Sequence, residues 1–423
     1  MVEFSRSKGT QDLLPEEQPY WEYVTSQAAA LARTYGFERL DPPLFETTAL
    51  FARGVGEATD VVEKEMYSFK DKGENPITLR PEFTAGVMRA YIENGMHVLA
   101  KPVKLYSIGP VFRYERPQAG RFRQFHQFNA EVVGIQDPLA DLETMLLAWD
   151  LYAGLEFRDL SFQLNSTGCP VCRPSYGEAL KAHYQAHIGE ICEDCRRRID
   201  RNPLRVLDCK QEQCQPVIAS APKIADYLCE ECAQHFTALR GYLDGLQRPY
   251  TINPRLVRGL DYYTKTVFEV WAQGIGAQAA VCGGGRYDGL IELLGGPSTP
   301  AVGFAAGLER IIMVMKSQGL EAPALPAPAV FIAHLGEKAR ASAVRLLVDL
   351  RAAGIGAQIA MGGSLKAQLR QANRQGTCVA LIVGEDELLR GEVALKNLMT
   401  GTQEAVALEA VVARVRHHLL PEC

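Results

Sequence analysis

Two long strand-like runs joined by a short polar loop constrain the fold of this chain more than any other feature. Residues 103–114 and 122–134 are rich in β-branched and aromatic side chains, and the loop between them contains ERPQAGR. This pattern predicts a long antiparallel β-hairpin. Further strand-like runs at 264–272 and 278–282 extend the prediction to an antiparallel sheet with helices packed on it.

The second strand of this hairpin carries an unusual set of side chains on one face. Alternate residues of a strand share a face, so Phe125, Gln127, Asn129 and Glu131 point the same way, and Arg113 stands near the end of the first strand. An aromatic ring, two amides, a carboxylate and a guanidinium do not make a hydrophobic core. They can sandwich a base, bind an amino group and hold a phosphate. A solvated sheet face with salt bridges explains the pattern equally well.

Helical segments are predicted around these strands. Residues 16–35 indicate a long helix that ends at Gly36. In ITLRPEFTAGVMRAYIENG, Pro81 suits the first helical position, and Asn94-Gly95 is a typical helix end. An apolar stripe predicts another helix from about Gly303 to Lys316.

Changes in composition divide the chain of 423 residues. Residues 319–329, rich in Ala and Pro and without periodicity, indicate a linker. Strand-like and helical runs then alternate through 330–423, which predicts a small α/β domain with a largely parallel sheet. Residues 1–165 and 250–318 predict one α+β core, interrupted by a cysteine-rich, mainly helical insertion at 166–249.

The insertion holds eight of the 11 cysteines. They form three CxxC pairs and two single positions: Cys169/Cys172, Cys192/Cys195, Cys229/Cys232, Cys209 and Cys214. Two CxxC pairs can complete a tetrahedral zinc site, and the spacing of the first two pairs is close to that of a zinc ribbon. The candidate ligands are therefore Cys169, Cys172, Cys192 and Cys195. Reduced, partly buried thiols in a cytosolic protein are the alternative.

Two other segments place arginines beside glycines or tyrosines. In RLVRGLDYYTKTVFEV, Arg258 precedes the pair Tyr262 and Tyr263, which can build a polar pocket or form an ordinary strand edge. In VGFAAGLERIIMV, Arg310 lies early in a predicted helix, where it can reach a phosphate or remain solvated.

The glycine triplet of VCGGGRYDGLIELLGG indicates a tight turn or a close approach of the backbone to a ligand. Taken alone, the triplet favours a turn. The segment matches neither the dinucleotide fingerprint nor the Walker A pattern.

Charge and hydropathy limit the classes of partner. The net charge of -5 and the pI near 6.0 give no global sign of nucleic-acid binding. No apolar run approaches the roughly 20 residues that a membrane span needs. The N-terminal segment lacks the apolar core of a secretory signal. We therefore expect a cytoplasmic protein without membrane association.

Together, these segments resemble the histidine-specific family of class II aminoacyl-tRNA synthetases, over essentially the whole chain. KGTQDLLPEE resembles the family's N-terminal start, the segment ending in DPPLFE resembles the dimer-forming motif 1, FRYERPQAGRFRQFHQ resembles motif 2, and GFAAGLER resembles motif 3. RGLDYYTKTVFE and GGGRYDGL resemble the two histidine-specific signatures, which are more specific than the class motifs. MGGSLKAQLRQANRQG and LIVGEDE resemble the family's anticodon-binding domain.

This resemblance implies a fold and an activity. The fold is an α+β catalytic domain with the class II antiparallel sheet, a helical insertion and a C-terminal α/β anticodon-binding domain. The implied protein is a homodimer that activates L-histidine with ATP and Mg²⁺, releases pyrophosphate, and transfers histidine to the 3' end of tRNA(His). The alternative is the histidine-sensing regulatory subunit of ATP phosphoribosyltransferase, which generally lacks the anticodon domain and departs from the synthetase motifs. A zinc-ribbon RNA-binding protein would explain the cysteines but not the two signatures.

The resemblance also implies roles for individual residues. Those implied to bind the α-amino group of histidine are Glu82, Thr84 and Gln127. Those implied to bind or line the imidazole pocket are Glu131, Tyr262, Tyr263 and Tyr287. Those implied to bind ATP are Arg113 at the α-phosphate and the substrate carboxylate, Phe125 on adenine, Arg121 and Arg310 at the γ-phosphate, and Arg258 at the α-phosphate, where other class II enzymes use a metal ion. Arg258 and Arg113 are the implied catalytic pair.

Two features depart from the family or vary within it. The family's usual RPEGTA reads RPEFTA here, so Phe83 replaces a glycine. We expect Phe83 to border histidine through its backbone, without loss of activity. Relatives with polar residues at several cysteine positions share the insertion, so the fold does not require zinc. Structural Zn²⁺ stays open, and we expect aminoacylation not to depend on it.

Overall fold

The computed structural model describes residues 4–56, 59–116, 120–272 and 280–419. Two predicted features lie partly outside them, at 117–119 in the hairpin loop and 278–279 in the last strand-like run. The chain divides into two compact units, Met1–Pro323 and Ala324–Cys423. Among the described residues, no helix combines the length and apolar character needed to cross a membrane.

The strands of the first unit form two sheets. In chain order they are β1 (Glu38–Arg39), β2 (Phe45–Thr47), β3 (Tyr67–Lys70), β4 (Pro76–Leu79), β5 (Val103–Phe112), β6 (Gln124–Val133), β7 (Ser161–Ser166), β8 (Tyr250–Ile252), β9 (Thr264–Trp271), β10 (Ala280–Arg286) and β11 (Ala301–Gly307). The large sheet has the order β1-β5-β6-β11-β10-β9-β7-β8 and is mainly antiparallel, and the small sheet has the order β2-β4-β3. The predicted antiparallel class is confirmed.

The helices of this unit pack on the large sheet or build the insertion. In chain order they are α1 (Gln18–Thr34), α2 (Thr48–Val55), α3 (Thr84–Glu93), α4 (Pro138–Gly154), α5 (Arg173–Ala186), α6 (Glu193–Arg201), α7 (Gln215–Ala219), α8 (Glu230–Gly245), α9 (Leu290–Leu293) and α10 (Leu308–Ser317). Helices α5 to α8 belong to the predicted helical insertion. The predicted helix at 16–35 is confirmed as α1.

The two faces of β6 point into different environments, which positions the site. Phe128, Ala130 and Val132 join the main core beneath α1, α4 and α10. The intervening residues face the opposite side, where α3 packs. The predicted hairpin is confirmed, since β5 and β6 pair from Val103 opposite Val133 to Phe112 opposite Gln124. Its polar residues therefore line the inner side of a covered face.

Three local predictions are wrong. Helix α3 begins at Thr84 rather than at Pro81, because the Glu82 carboxylate accepts hydrogen bonds from the amides of Thr84 and Ala85, at 2.6 and 2.9 Å, and so caps the first turn. The segment from Gly303 to Gly307 is strand β11, and only α10 after it is helical. The glycine triplet is not a turn, because it lies inside β10 and pairs with a strand on each side.

The second unit has its own sheet and core. Its elements are β12 (Val330–His334), α11 (Glu337–Ala352), β13 (Ala357–Ile359), α12 (Leu365–Arg374), β14 (Val379–Val383), α13 (Glu385–Leu389), β15 (Glu392–Asn397), β16 (Gln403–Ala407) and α14 (Val411–Leu419). The sheet order is β13-β12-β14-β15-β16. The α/β class is confirmed, but the sheet is mixed. Its first three strands are parallel, whereas β15 and β16 pair antiparallel as a hairpin.

Candidate active site

A polar cavity of about 410 Å³ opens on the inner face of the large sheet. Six of the residues singled out from the sequence line it: Arg113, Arg121, Phe125, Gln127, Arg258 and Arg310. They come from three separate segments of the chain: the β5–β6 hairpin, the stretch before β9 and the start of α10 after β11. The antiparallel order of β6, β11, β10 and β9 brings those segments side by side. With Arg205, five arginines line the cavity, alongside six carboxylates that include Glu115 and Glu269. Arginines with donors left over from these ion pairs suit an anionic ligand.

Glu131 forms the centre of a buried polar cluster beside this cavity. Only 1% of its surface is exposed, and its carboxylate accepts hydrogen bonds from Thr84 Oγ1 at 2.7 Å, Asn129 Nδ2 at 3.3 Å and the Tyr287 hydroxyl. Burial raises the pKa of Glu131 from 4.5 to about 7. The cluster therefore holds a carboxylate whose protonation state is poised near neutrality.

Three buried tyrosines surround this carboxylate. The ring centroids of Tyr262 and Tyr263 lie 4.7 Å apart, and those of Tyr262 and Tyr287 lie 5.4 Å apart. Burial raises the pKa of all three phenols. They stay protonated at neutral pH and can act as hydrogen-bond donors and acceptors. An aromatic wall with a carboxylate in it suits a small, flat, polar ring.

Two polar groups nearby are suited to an ammonium group. Glu82 is buried, and burial raises its pKa even though its carboxylate caps α3. The side-chain oxygen of Gln127 is buried and accepts no hydrogen bond within the described residues. A buried acceptor without a partner costs free energy unless a ligand or water supplies the donor. Gln127 is therefore an available acceptor for a ligand donor.

Arg258 lies in a space that a glycine leaves open. A Cβ atom on Gly283 of β10 would overlap its guanidinium group, so any side chain there would displace Arg258 from this position. Nη1 of Arg258 binds Glu269 Oε1 at 2.7 Å, and Glu269 also accepts a hydrogen bond from Trp271 Nε1 at 2.9 Å. Nε of Arg258 has no partner within the described chain. The arginine is held at one edge and has donor capacity left for a ligand.

Glu269 did not emerge as a candidate from the sequence. It lies in the segment TKTVFEV, where an acidic residue in a strand ordinarily faces solvent. Its alternation with the buried Val270 and Phe268 was a usable signal that it points away from the core.

The other arginines are held by backbone carbonyls and one carboxylate. Nε of Arg113 donates to Pro81 O at 2.9 Å, and its guanidinium lies 5.5 Å from the Phe125 ring. Arg121 pairs with Glu115 at 3.2 Å, and Arg310 donates to Ala280 O at 2.7 Å. The cavity thus combines a stacking ring with fixed cations, as a nucleotide requires.

Comparison with known proteins agrees with this geometry. Residues 9–173 and 174–311 match the profile of the family described as histidyl-tRNA synthetase, and 329–418 match that of an anticodon-binding domain. The chain belongs to the histidyl-tRNA synthetase family.

Relatives match this synthetase from end to end. The histidine–tRNA ligase of Dehalococcoides mccartyi strain 195 is 51% identical over 98% of the chain and 100% of its own length. That of Pelotomaculum thermopropionicum is 49% identical over 98% of each chain. The crystal structure of apo Staphylococcus aureus histidyl-tRNA synthetase matches with a TM-score of 0.83 and 38% identity, over 98% of this chain and 100% of that one. Full-length agreement supports a histidine–tRNA ligase of class II over the regulatory subunit.

Phe83 fits this synthetase without entering its cavity. Its ring is fully buried in the core beside α3, 4.1 Å from the guanidinium carbon of Arg80. The side chain that replaces the family's usual glycine therefore fills core volume and makes a cation–π contact.

The predicted grouping of the cysteines is wrong. The set Cys169, Cys172, Cys192 and Cys195 is split between two clusters. One cluster is Cys169, Cys172, Cys229 and Cys232, and the other is Cys192, Cys195, Cys209 and Cys214. Spacing along the chain pointed to the nearest pairs, whereas α8 packs back against the start of the insertion and brings the third pair to the first.

Arg286, in the second histidine signature of the synthetase, has a structural role that was not predicted from the sequence. Its fully buried guanidinium pairs with the fully buried Asp141 of α4 and with Asp288 at 3.1 Å, and it donates to Ile135 O at 3.0 Å. Removing one partner of such a buried pair typically costs about 3–5 kcal/mol. The signature therefore contains a residue that anchors the fold next to Tyr287, whose hydroxyl donates to Glu131.

Proposed function

We propose that the chain activates L-histidine with Mg²⁺–ATP and then transfers it to tRNA(His). The observation that carries this proposal is the buried cluster of Glu131 and three tyrosines directly beside an arginine-lined cavity. A selective pocket for a flat polar ring adjoins a site for a polyphosphate, as a histidine–ATP condensation requires.

Histidine binds with its imidazole between Glu131 and Tyr263. The carboxylate accepts a hydrogen bond from one ring nitrogen, and the phenol contacts the other, while Tyr262 and Tyr287 enclose the ring. Thr84, the oxygen of Gln127 and the carboxylate of Glu82 receive the α-amino group. Other amino acids leave these buried polar groups unpaired, which rejects them strongly without a separate editing step.

Catalysis is by positioning and charge stabilisation. The histidine carboxylate attacks the α-phosphorus of ATP, the bond from that phosphorus to the bridging α–β oxygen breaks, and pyrophosphate leaves. Mg²⁺ bound with ATP would neutralise charge on the β- and γ-phosphates. Arg113 holds the carboxylate and the α-phosphate together, and Arg258 stabilises the charge that develops at the α-phosphate. Phe125 stacks on adenine, and Arg121 and Arg310 bind the γ-phosphate. The terminal ribose hydroxyl of the tRNA then attacks the carbonyl carbon of the adenylate. An ester bond forms, the anhydride bond to phosphate breaks, and AMP leaves together with the hydroxyl proton.

The chain works as a homodimer in the cytoplasm, where tRNA is charged. The small sheet supports a dimer because it carries exposed apolar side chains: Phe45 and Phe69 are exposed by 55% and 49%, and Leu44, directly before β2, by 45%. Light scattering during gel filtration tests this assembly. We expect twice the chain mass for the wild type and a shift towards monomer for Phe45→Glu.

ATP–pyrophosphate exchange, measured with each amino acid in turn, tests the activity. We expect exchange with histidine alone. Glu131→Gln is a matched probe of the ring pocket, and we expect it to weaken histidine binding far more than ATP binding. Histidine binding without exchange would contradict the proposal and favour the regulatory function.

A further inference from the structure

Eight cysteines of the insertion lie in two groups of four outside the active site. Within each group, the four sulfur atoms all lie within 4.8 Å of one another. We call Cys169, Cys172, Cys229 and Cys232 the basal site, because it lies where the insertion leaves the catalytic sheet. We call Cys192, Cys195, Cys209 and Cys214 the distal site.

The sulfur separations in the basal site are those of a metal site. Sγ of Cys169 lies 3.7 Å from the Sγ atoms of both Cys172 and Cys229, and Sγ of Cys172 lies 3.8 Å from that of Cys232. A disulfide needs about 2.05 Å. Four thiolates placed tetrahedrally at about 2.3 Å from a zinc ion are separated by about 3.8 Å. The basal sulfurs therefore already stand at the spacing that one such ion requires.

The distal site has the same spacing. Sγ of Cys192 lies 3.8 Å from that of Cys209, and Sγ of Cys214 lies 3.9 Å from that of Cys195. Such short sulfur–sulfur separations suit a single ion. A cluster of several metal atoms would hold the thiolates farther apart.

Backbone amides point at the sulfurs of both sites. In the basal site, the amides of Cys169 and Val171 donate to the sulfurs of Cys172 and Cys169, at 3.1 and 3.4 Å. The amides of Cys192 and Gln211 donate in the same way in the distal site, at 3.1 and 3.4 Å. Amide donors around sulfur stabilise thiolate charge, which is the ligand form for zinc.

We propose that each site binds one Zn²⁺, two ions per chain, each with four thiolate ligands. Tetrahedral S₄ coordination is typical of structural zinc. Both sites are closed, with no position for water or substrate, so the ions take no part in the reaction. This role agrees with our expectation that aminoacylation itself does not depend on zinc.

The basal ion would link the two ends of the insertion to each other, beside the proposed histidine pocket. Lys265 follows Tyr263 closely in the chain, and its amide donates to Gly168 O at 2.8 Å, while its Nζ pairs with Glu231 at 2.7 Å. Arg173 donates to the carbonyl oxygen of Tyr263. Gly168, Arg173 and Glu231 each lie within four residues of a basal cysteine. The basal ion would thus fix the groups that hold the backbone at Tyr263 and Lys265, directly after the tyrosine pair.

The distal ion would stabilise a loop that reaches the other side of the cavity. Arg205 lies between the distal cysteines Cys195 and Cys209 in the chain. It pairs with Asp60 at 3.0 Å and donates to the carbonyl oxygen of Arg258 at 3.4 Å. Closing this loop through a metal reduces the freedom of the unfolded segment.

Metal analysis of the full-length protein, purified in reducing buffer after growth with zinc, tests the proposal. We expect two zinc ions per chain in the wild type. Cys172→Ser should remove one ion and Cys195→Ser the other, and the double variant should contain none. Cys282→Ala is the control, because Cys282 is a buried cysteine outside both sites, and it should retain two ions.

Cobalt titration of the demetallated wild type measures the number of sites without using the cysteine variants, so the result does not depend on whether those variants fold. We expect thiolate-to-cobalt absorption to rise linearly until two equivalents are bound. One zinc ion per chain, lost in either single variant, would overturn the proposal and restore a shared site made of the first two CxxC pairs. Stoichiometric iron, or eight freely titratable thiols without metal, would overturn it as well.

Discussion

Arg258, the arginine at the centre of the proposed mechanism, is held by one carboxylate and occupies space that a side chain on β10 would otherwise fill. Glu269 fixes an edge of the Arg258 guanidinium at 2.7 Å, and Gly283 leaves the space in which it lies. Such fixed placement suits a group that stabilises developing charge, because it needs no reorganisation during the reaction.

Replacement of Arg258 should therefore act on the rate of activation. We expect Arg258→Ala to lower kcat about 10²–10³-fold, or roughly 3–4 kcal/mol, with much smaller changes in KM for ATP and histidine. Arg258→Lys should rescue only partly, because a point charge cannot replace a planar fork of donors. Pre-steady-state measurement of adenylate formation checks this. A variant with near wild-type kcat and a raised KM for ATP would make Arg258 a binding residue only.

Glu131 should make the stability of the ligand-free protein depend on pH. Its folded-state pKa of about 7 lies above the value of 4.5 for an ordinary glutamate, so the folded state holds the proton more tightly. This contribution to stability is fully present below about pH 4.5 and is lost as the pH rises to 7. Between pH 5 and pH 8, the free energy of unfolding of the wild type should fall by about 2–3 kcal/mol relative to that of Glu131→Gln, which has no carboxyl group to ionise at this position.

Urea unfolding of the two proteins at both pH values measures this difference. Glu292→Gln, which removes an exposed carboxylate, is the control and should follow the wild type. Parallel pH profiles for wild type and Glu131→Gln would show that Glu131 ionises in the folded state as it does in the unfolded chain.

At the scale of elements, local pattern predicted the hairpin β5–β6, helix α1 and the βα alternation of the second unit. The local pattern did not predict that strand β10 runs through three successive glycines, because these glycines are required by contacts with residues far away in the sequence. Side chains at Gly283, Gly284 and Gly285 would overlap Arg258, the backbone of Gly303 and the backbone of Thr266. The pairing of the cysteines failed for the same reason, since it depends on where α8 packs.

A methyl group on β10 should therefore disturb the active site without breaking the sheet. We expect Gly283→Ala to displace Arg258 and to lower kcat about as much as Arg258→Ala does. The double variant should lose little more, because both changes remove the same interaction. The control is Gly289→Ala, where a Cβ meets no atom within 4 Å. Additive losses in adenylate formation would mean that Gly283 acts independently of Arg258.

The whole molecule consists of two units with separate sheets and separate cores. The boundary between Pro323 and Ala324 falls in the Ala/Pro-rich segment between α10 and β12. All residues of the proposed active site lie in the first unit, whereas the second matches an anticodon-binding domain. Binding of histidine and ATP and binding of the anticodon are thus assigned to different units.

Deletion of residues 324–423 should consequently separate the two half-reactions. We expect histidine-dependent pyrophosphate exchange to stay within a few-fold of the full chain, because the removed unit supplies none of the proposed catalytic groups. Charging of tRNA(His) should fall by at least about 100-fold, the effect of losing about 3 kcal/mol of tRNA contacts. Thermal unfolding of the truncated protein provides the control for its integrity. Equal loss of exchange and charging in a folded truncation would mean that the second unit supports the catalytic site itself.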